Sequence, residues 1–156
     1  MRNVRIPPLP LTGGCQCGAV RFALHGKPVT FYHCHCTECQ KQSASAHGQS
    51  LRVRRADLMI EGETRAFSRP AASGHHLTGH FCPSCGTRIM HEREGGSDVN
   101  IKAGTLDDTG WLAPAGHIWT GSAQAGTLFE PAALVYEAQP DDGYAALIRR
   151  WNDITA

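Results

Sequence analysis

The sequence has no apolar run near the about 20 residues a membrane helix requires, and residues 1–10 lack the apolar core of a signal peptide. A cytoplasmic protein with no membrane partner is therefore expected. There is also no basic block. Fifteen Lys and Arg stand against fourteen Asp and Glu, a net charge of +1, so no nucleic-acid partner is expected. Aromatic residues are few, at 7%, whereas 17 glycines and 9 prolines point to many turns and short strands. No repeat, low-complexity tract or long linker divides the 156 residues. One domain is expected over 1–156, with a core over about 12–129 and a tail with a helix over 130–156.

A complete set of disulfides is excluded by arithmetic, because seven cysteines cannot all pair. Their share, about 4.5% of residues, is also below that of disulfide scaffolds. Their spacing is the informative feature: Cys15-x-Cys17, Cys34-x-Cys36-x-x-Cys39 and Cys82-x-x-Cys85. Cysteines so close in sequence suit chelation of a metal, and zinc first, better than cross-linking.

Alternation of Val20, Phe22 and Leu24 predicts a strand over 19–24, entered through Gly13-Gly14. Further strands are expected over 28–33, 49–53, 64–68, 76–81, 88–91, 99–103 and 116–120, with one helical turn over 37–41. Short intervals and frequent turn residues favour an antiparallel arrangement over parallel strands joined by helices. The segment from Arg5 to Pro10 reads as an extended lead-in. One C-terminal helix is expected, capped by Asp141 or Asp142, with Tyr144, Leu147, Ile148 and Trp151 on one packed stripe.

Cys82-Pro83-Ser84-Cys85-Gly86 has the form of a zinc knuckle, in which turn N–H groups stabilise the sulfurs and Gly86 supplies a positive φ. A structural zinc needs four ligands. Cys15 with Cys17, or two of Cys34, Cys36 and Cys39, can complete the set. Only the first choice uses both simple pairs and leaves three cysteines together. Cys15, Cys17, Cys82 and Cys85 are therefore expected to form a closed structural site. Cys34, Cys36 and Cys39 form an open, catalytic one unless His33, His35 or His47 closes it.

Two zinc ions per chain follow. Three thiolates leave the second ion with net charge −1, so it is a weak Lewis acid, poor at making hydroxide at neutral pH. It suits a fourth soft ligand such as an incoming thiol. Thiol chemistry is expected over hydrolysis.

Gly13-Gly14-Cys15-Gln16-Cys17-Gly18-Ala19-Val20-Arg21-Phe22, Cys34-His35-Cys36-x-x-Cys39 and Phe81-Cys82-Pro83-Ser84-Cys85-Gly86-Thr87 resemble the glutathione-dependent formaldehyde-activating enzyme family, which includes centromere-protein-V-like members. Gly104-Thr105-Leu106-Asp107-Asp108 and His117-Ile118-Trp119-Thr120 extend the resemblance over roughly residues 12–129. It implies a mainly β fold of small coiled antiparallel sheets, the β-tent type, clipped by zinc. It implies structural ligands at Cys15, Cys17, Cys82 and Cys85 and catalytic ligands at Cys34, Cys36 and Cys39. It also implies a carbon–sulfur lyase activity of the S-(hydroxymethyl)glutathione synthase type, with glutathione and formaldehyde as substrates. The chain departs from the family's usual Arg-Lys and Gly-Ser at Gln40-Lys41 and Ala44-Ser45, and His47 stands where an aromatic is common.

Lys41, His47 and His117 are the candidate substrate-binding residues, beside the presumed site. Arg88, just after the knuckle, reads either as a paired surface cation or as one that screens the anionic cluster or holds a substrate carboxylate, and His75, His76, His80 and His91 read as scattered polar groups. Asp107-Asp108 reads as turn chemistry. The rival to an enzyme is a zinc-stabilised binding module in which both metals are structural. An external thiol's access to the second metal separates the two.

Overall fold

In the computed structural model, Phe22 and Leu24 are buried and Arg21 is exposed, so the alternation in this stretch becomes a strand, as expected. The structure describes residues 3–71 and 74–156. The domain expected over 1–156 thus includes residues 1, 2, 72 and 73, which lie outside the described residues.

The chain is mainly β. Strand β1 (Leu11–Gly14) pairs with β2 (Arg21–Leu24), and β2 with β5 (Leu58–Glu61), in a three-stranded antiparallel sheet. The other strands are β3 (Thr30–Cys34), β4 (Gly48–Arg54), β6 (Arg65–Pro70), β7 (His76–Phe81), β8 (Arg88–Arg93), β9 (Asp98–Ile101), β10 (Gly116–Ile118) and β11 (Leu134–Val135). They form one eight-stranded sheet in the order β11-β10-β3-β4-β9-β8-β7-β6.

Two features differ from expectation. This second sheet is large, and it is not wholly antiparallel: β10 runs parallel to both β3 and β11. A parallel neighbour needs a long crossover, and β10 lies some eighty residues after β3, so no local pattern announces it. The remaining ladder, β3-β4-β9-β8-β7-β6, is antiparallel throughout.

Central position explains the burial of β3 and β4. Thr30, Phe31, Tyr32 and Cys34 are buried, as are Ser50, Leu51 and Val53, because both strands have neighbours on either side. The buried hydrophobic residues form one cluster that runs from Val4 to Ile154.

Helix α1 (Thr37–Ser43) extends the single turn expected there. Helix α2 (Ala145–Ile154) is the expected C-terminal helix, and the Asp142 carboxylate accepts from the Tyr144 and Ala146 N–H groups at its start. Tyr144 itself stands before the helix with φ +73°, so the buried stripe is Leu147, Trp151 and Ile154. Trp151 donates to the Pro28 carbonyl at 3.1 Å and meets Phe31 edge-on at 6.1 Å, which seats α2 on β3. Trp151→Ala is expected to cost about 3–5 kcal/mol by leaving a cavity and an unpaired Pro28 carbonyl, measurable as a lower urea midpoint. Among the described residues, no helix is long and apolar enough to cross a membrane.

Candidate metal centres and their surroundings

The first centre is built from two tight turns. In the turn after β7, the Cys82 N–H donates to Thr87 O and the Gly86 N–H to Cys82 O, each at 2.9 Å. Gly86 has φ +79°, as the knuckle requires. In the turn after β1, the Gly18 N–H donates to Cys15 O and the Val20 N–H to Cys15 Sγ. The Gln16 N–H donates to Thr87 Oγ1 and so ties one turn to the other.

The Sγ atoms of Cys15, Cys17, Cys82 and Cys85 all lie within 4.8 Å of one another. Cys15 Sγ is 3.6 Å and Cys82 Sγ 3.7 Å from Cys17 Sγ. Four sulfurs at about 2.3 Å from one ion would be about 3.8 Å apart, so the spacing fits a tetrahedral metal. The Thr87 hydroxyl and N–H, with the Cys17 N–H, hold the Cys85 thiol down to about 5. The turn donors thus favour the thiolate that a metal needs.

The second centre is local. Cys34 ends β3, and Cys36 precedes α1, where its sulfur accepts from the Cys39 N–H at 3.3 Å. The sulfurs of Cys34, Cys36 and Cys39 lie within 4.8 Å of one another, and among the described residues no histidine or carboxylate joins them. Contact with Cys34, then Cys39, pushes Cys36 down to about 2, while the same contacts push Cys34 far up. Such a triad loses its first proton readily and the rest only when a cation balances the charge. This donor set could hold a metal ion. All seven cysteines are free thiols.

The histidines proposed as possible closing ligands instead form a cluster of their own. His33 and His47 stack with ring centres 4.1 Å apart, and the His47 ring is 5.1 Å from that of His35. His35 is buried and shares a 2.9 Å hydrogen bond with His117, which is 2% exposed. His117 Nε2 donates to Glu130 at 2.5 Å, which leaves His117 Nδ1 to share the hydrogen bond with His35 Nε2. His33 Nε2, His35 Nδ1 and His47 Nδ1 are buried with no hydrogen-bond partner among the described residues. Burial first, then the neighbouring imidazoles, lowers His33 to about 3 and His35 to about 4, so both are neutral at neutral pH.

The structure thus brings His47 and His117 together, with His35 placed beside Cys36. Lys41 is exposed on α1. Gln40, one of the departures noted above, donates from Nε2 to the His35 and Ser122 carbonyls at 2.8 and 2.9 Å and braces the loop between two cysteines. His80 pairs with Glu92 at 3.0 Å, and Asp107 pairs with Arg21 and accepts from Thr12. Asp108 accepts from the Gly110 N–H, a turn contact as expected.

Sequence reasoning missed Glu130, Phe129 and Lys102. Phe129 meets the His35 and His117 rings edge-on. No spacing rule reaches them, because Glu130 joins the cluster only through the parallel pairing of β10. A surface cleft of about 670 Å³ between the N-terminal lead-in and the C-terminus contains none of the cysteines.

The family model for the glutathione-dependent formaldehyde-activating enzyme matches residues 10–122. A crystal structure of a Rhodobacter sphaeroides protein superposes with a TM-score of 0.52 at 19% identity, covering 64% of this chain and 90% of the other. That likeness concerns the fold alone. No curated protein matches the chain. The match spans well over half the sequence and includes all seven cysteines, and the chain belongs to the glutathione-dependent formaldehyde-activating enzyme family.

Proposed function

We propose that this chain is a single-domain, zinc-dependent enzyme of the carbon–sulfur lyase type that joins a thiol such as glutathione to formaldehyde or a related aldehyde, or cleaves the adduct. The observation that carries this reading is a three-thiol group that no other metal-ligating side chain joins among the described residues. Family membership supports it. In this reading Cys15, Cys17, Cys82 and Cys85 hold a structural zinc, and Cys34, Cys36 and Cys39 a catalytic one. Seven free thiols suit the reducing cytoplasm.

Zinc at the triad supplies a soft Lewis acid that lowers the pKa of an added thiol. The chain's residues do the rest. The sulfur–carbon bond forms as the aldehyde C=O π bond opens, and the thiol's proton ends on the former carbonyl oxygen. The His35–His117 pair is the group assigned to hold that proton in transit, with Glu130 accepting at its far end. His47 packs against His35 and, with His117, is assigned to the substrate side. Lys41 is the candidate for a substrate carboxylate.

The test is glutathione titration of cobalt-substituted protein, followed by the visible spectrum. A thiol with an ordinary pKa near ~8.5 must lose its proton to join the metal. Its bound pKa is depressed, so binding releases a proton and strengthens as pH rises from mildly acidic to neutral, by up to about tenfold per pH unit. An affinity flat across that range would exclude the thiol as a metal ligand. An unchanged spectrum at millimolar glutathione would favour the binding module.

A further inference from the structure

Lys102 follows β9 and is 8% exposed, and its Nζ has no hydrogen-bond partner among the described residues. A buried ammonium without a partner is costly unless opposite charge faces it. β9 runs beside β4 with Ile101 opposite Leu51, and β4 begins at Gly48, which pairs with Cys34 and lies against Cys39, so the anionic groups on this side are Cys39, Cys34 and Cys36, with Arg88 as the opposing cation.

Arg88 adds to the same side. Its guanidinium lies across Gly79 of β7, where a Cβ would come within 1.8 Å of Nη1, so glycine leaves the path that the side chain takes. Arg88 makes no ion pair with a carboxylate among the described residues, and Cys39 is the anionic group that acts on it. Arg69, on the neighbouring β6, is already paired with Glu38 at 3.6 Å. At the four-cysteine centre the corresponding cation, Arg21, is neutralised by Asp107. The two centres therefore differ in charge as well as in ligand number. Three thiolates on a divalent ion leave one negative charge, and Lys102 with Arg88 more than cancels it.

We propose that Lys102 is the buried counter-charge of the Cys34–Cys36–Cys39 centre and that, with Arg88, it selects an anionic ligand, a thiolate, over a neutral one at the position the three cysteines leave open. This rests on the reading that a metal occupies the triad. Lys102 acts through the field at the metal and touches no reacting atom, which makes it a positioning residue. A fourth thiolate would otherwise bring a second uncompensated negative charge into a half-buried site, at a cost that grows as the local dielectric falls.

The experiment compares two ligands on the cobalt-substituted full chain, 2-mercaptoethanol as the thiol and imidazole as the neutral donor. In Lys102→Met, thiol affinity is expected to fall about tenfold or more, the order of effect of one removed charge in such a site. Imidazole affinity should change less than about twofold on the same reasoning. Lys102→Arg should retain most of the thiol affinity, and Arg88→Met should show a smaller loss with the same bias. Methionine keeps the length and volume of the apolar stem, so Lys102→Met is expected to fold, which its metal content and a thermal melt check. Equal losses for both ligands, or none for the thiol, would overturn the proposal. A parent protein whose cobalt spectrum ignores both ligands would overturn the metal reading, and this inference with it.

Discussion

Serine in place of Cys82 is expected to unfold the protein at temperatures where the parent is stable. Cys82 is fully buried, and its sulfur stands 3.7 Å from that of Cys17, 65 residues earlier in the chain. Through this contact the turn between β1 and β2 of the three-stranded sheet is clipped to the turn between β7 and β8 of the large sheet. Structural zinc binds small domains with an apparent ~10–16 kcal/mol, and that energy is folding energy. A domain's whole stability is only about 5–15 kcal/mol. A serine hydroxyl is a far poorer ligand than a thiolate, so even partial loss is large. Losing about 4 kcal/mol would lower the midpoint by roughly 8–16 °C at this chain length. Thermal melts of the variant, beside parent protein treated with a strong chelator, check this. A Cys82→Ser protein that melts within a few degrees of the parent would remove the structural role from this centre.

Serine at Cys36 should do the opposite, abolishing thiol binding and turnover while leaving the fold in place. The triad spans only residues 34–39, so it crosses no long loop and clips no distant segment. The local duty of the Cys36 sulfur, accepting the Cys39 N–H at the start of α1, passes to the serine hydroxyl, a better helix cap than a thiol. Metal content should fall from two ions to one, and kcat/KM by at least about 10²-fold, the scale on which such metal centres contribute. Elemental analysis, a melt and an activity assay on one preparation read all three effects. Destabilisation as deep as that of Cys82→Ser would mean that the triad, too, is structural.

These opposite outcomes rest on features that are local in the chain. The reading of Cys82-x-x-Cys85-Gly86 needs no tertiary information, since two cysteines around a tight turn bring their sulfurs to one side and the turn's N–H groups back toward them. The φ of Gly86 and the donors around Cys85 agree with it. The strand 76–81, the alternation of Phe22 and Leu24, and the seat of Trp151 belong to the same class, because periodicity along a few residues decides which side meets the core. The division of seven cysteines into four and three was likewise a matter of arithmetic and spacing.

What surrounds the triad was decided at long range. His35 meets His117 across 82 positions, and Glu130 joins them only because β10 runs parallel to β3 and sets His117 beside His33. The histidines that sequence spacing offered as zinc ligands are turned by that pairing into a buried polar cluster instead. Lys102 read as one more residue of a strand until the fold buried its ammonium with no hydrogen-bond partner among the described residues. Local sequence sets periods, turns and chelating spacings, which act over a few bonds. Strand order, and with it the charge and polarity around a site, follows from which arrangement buries the most apolar surface of the whole chain, a sum that no short window contains.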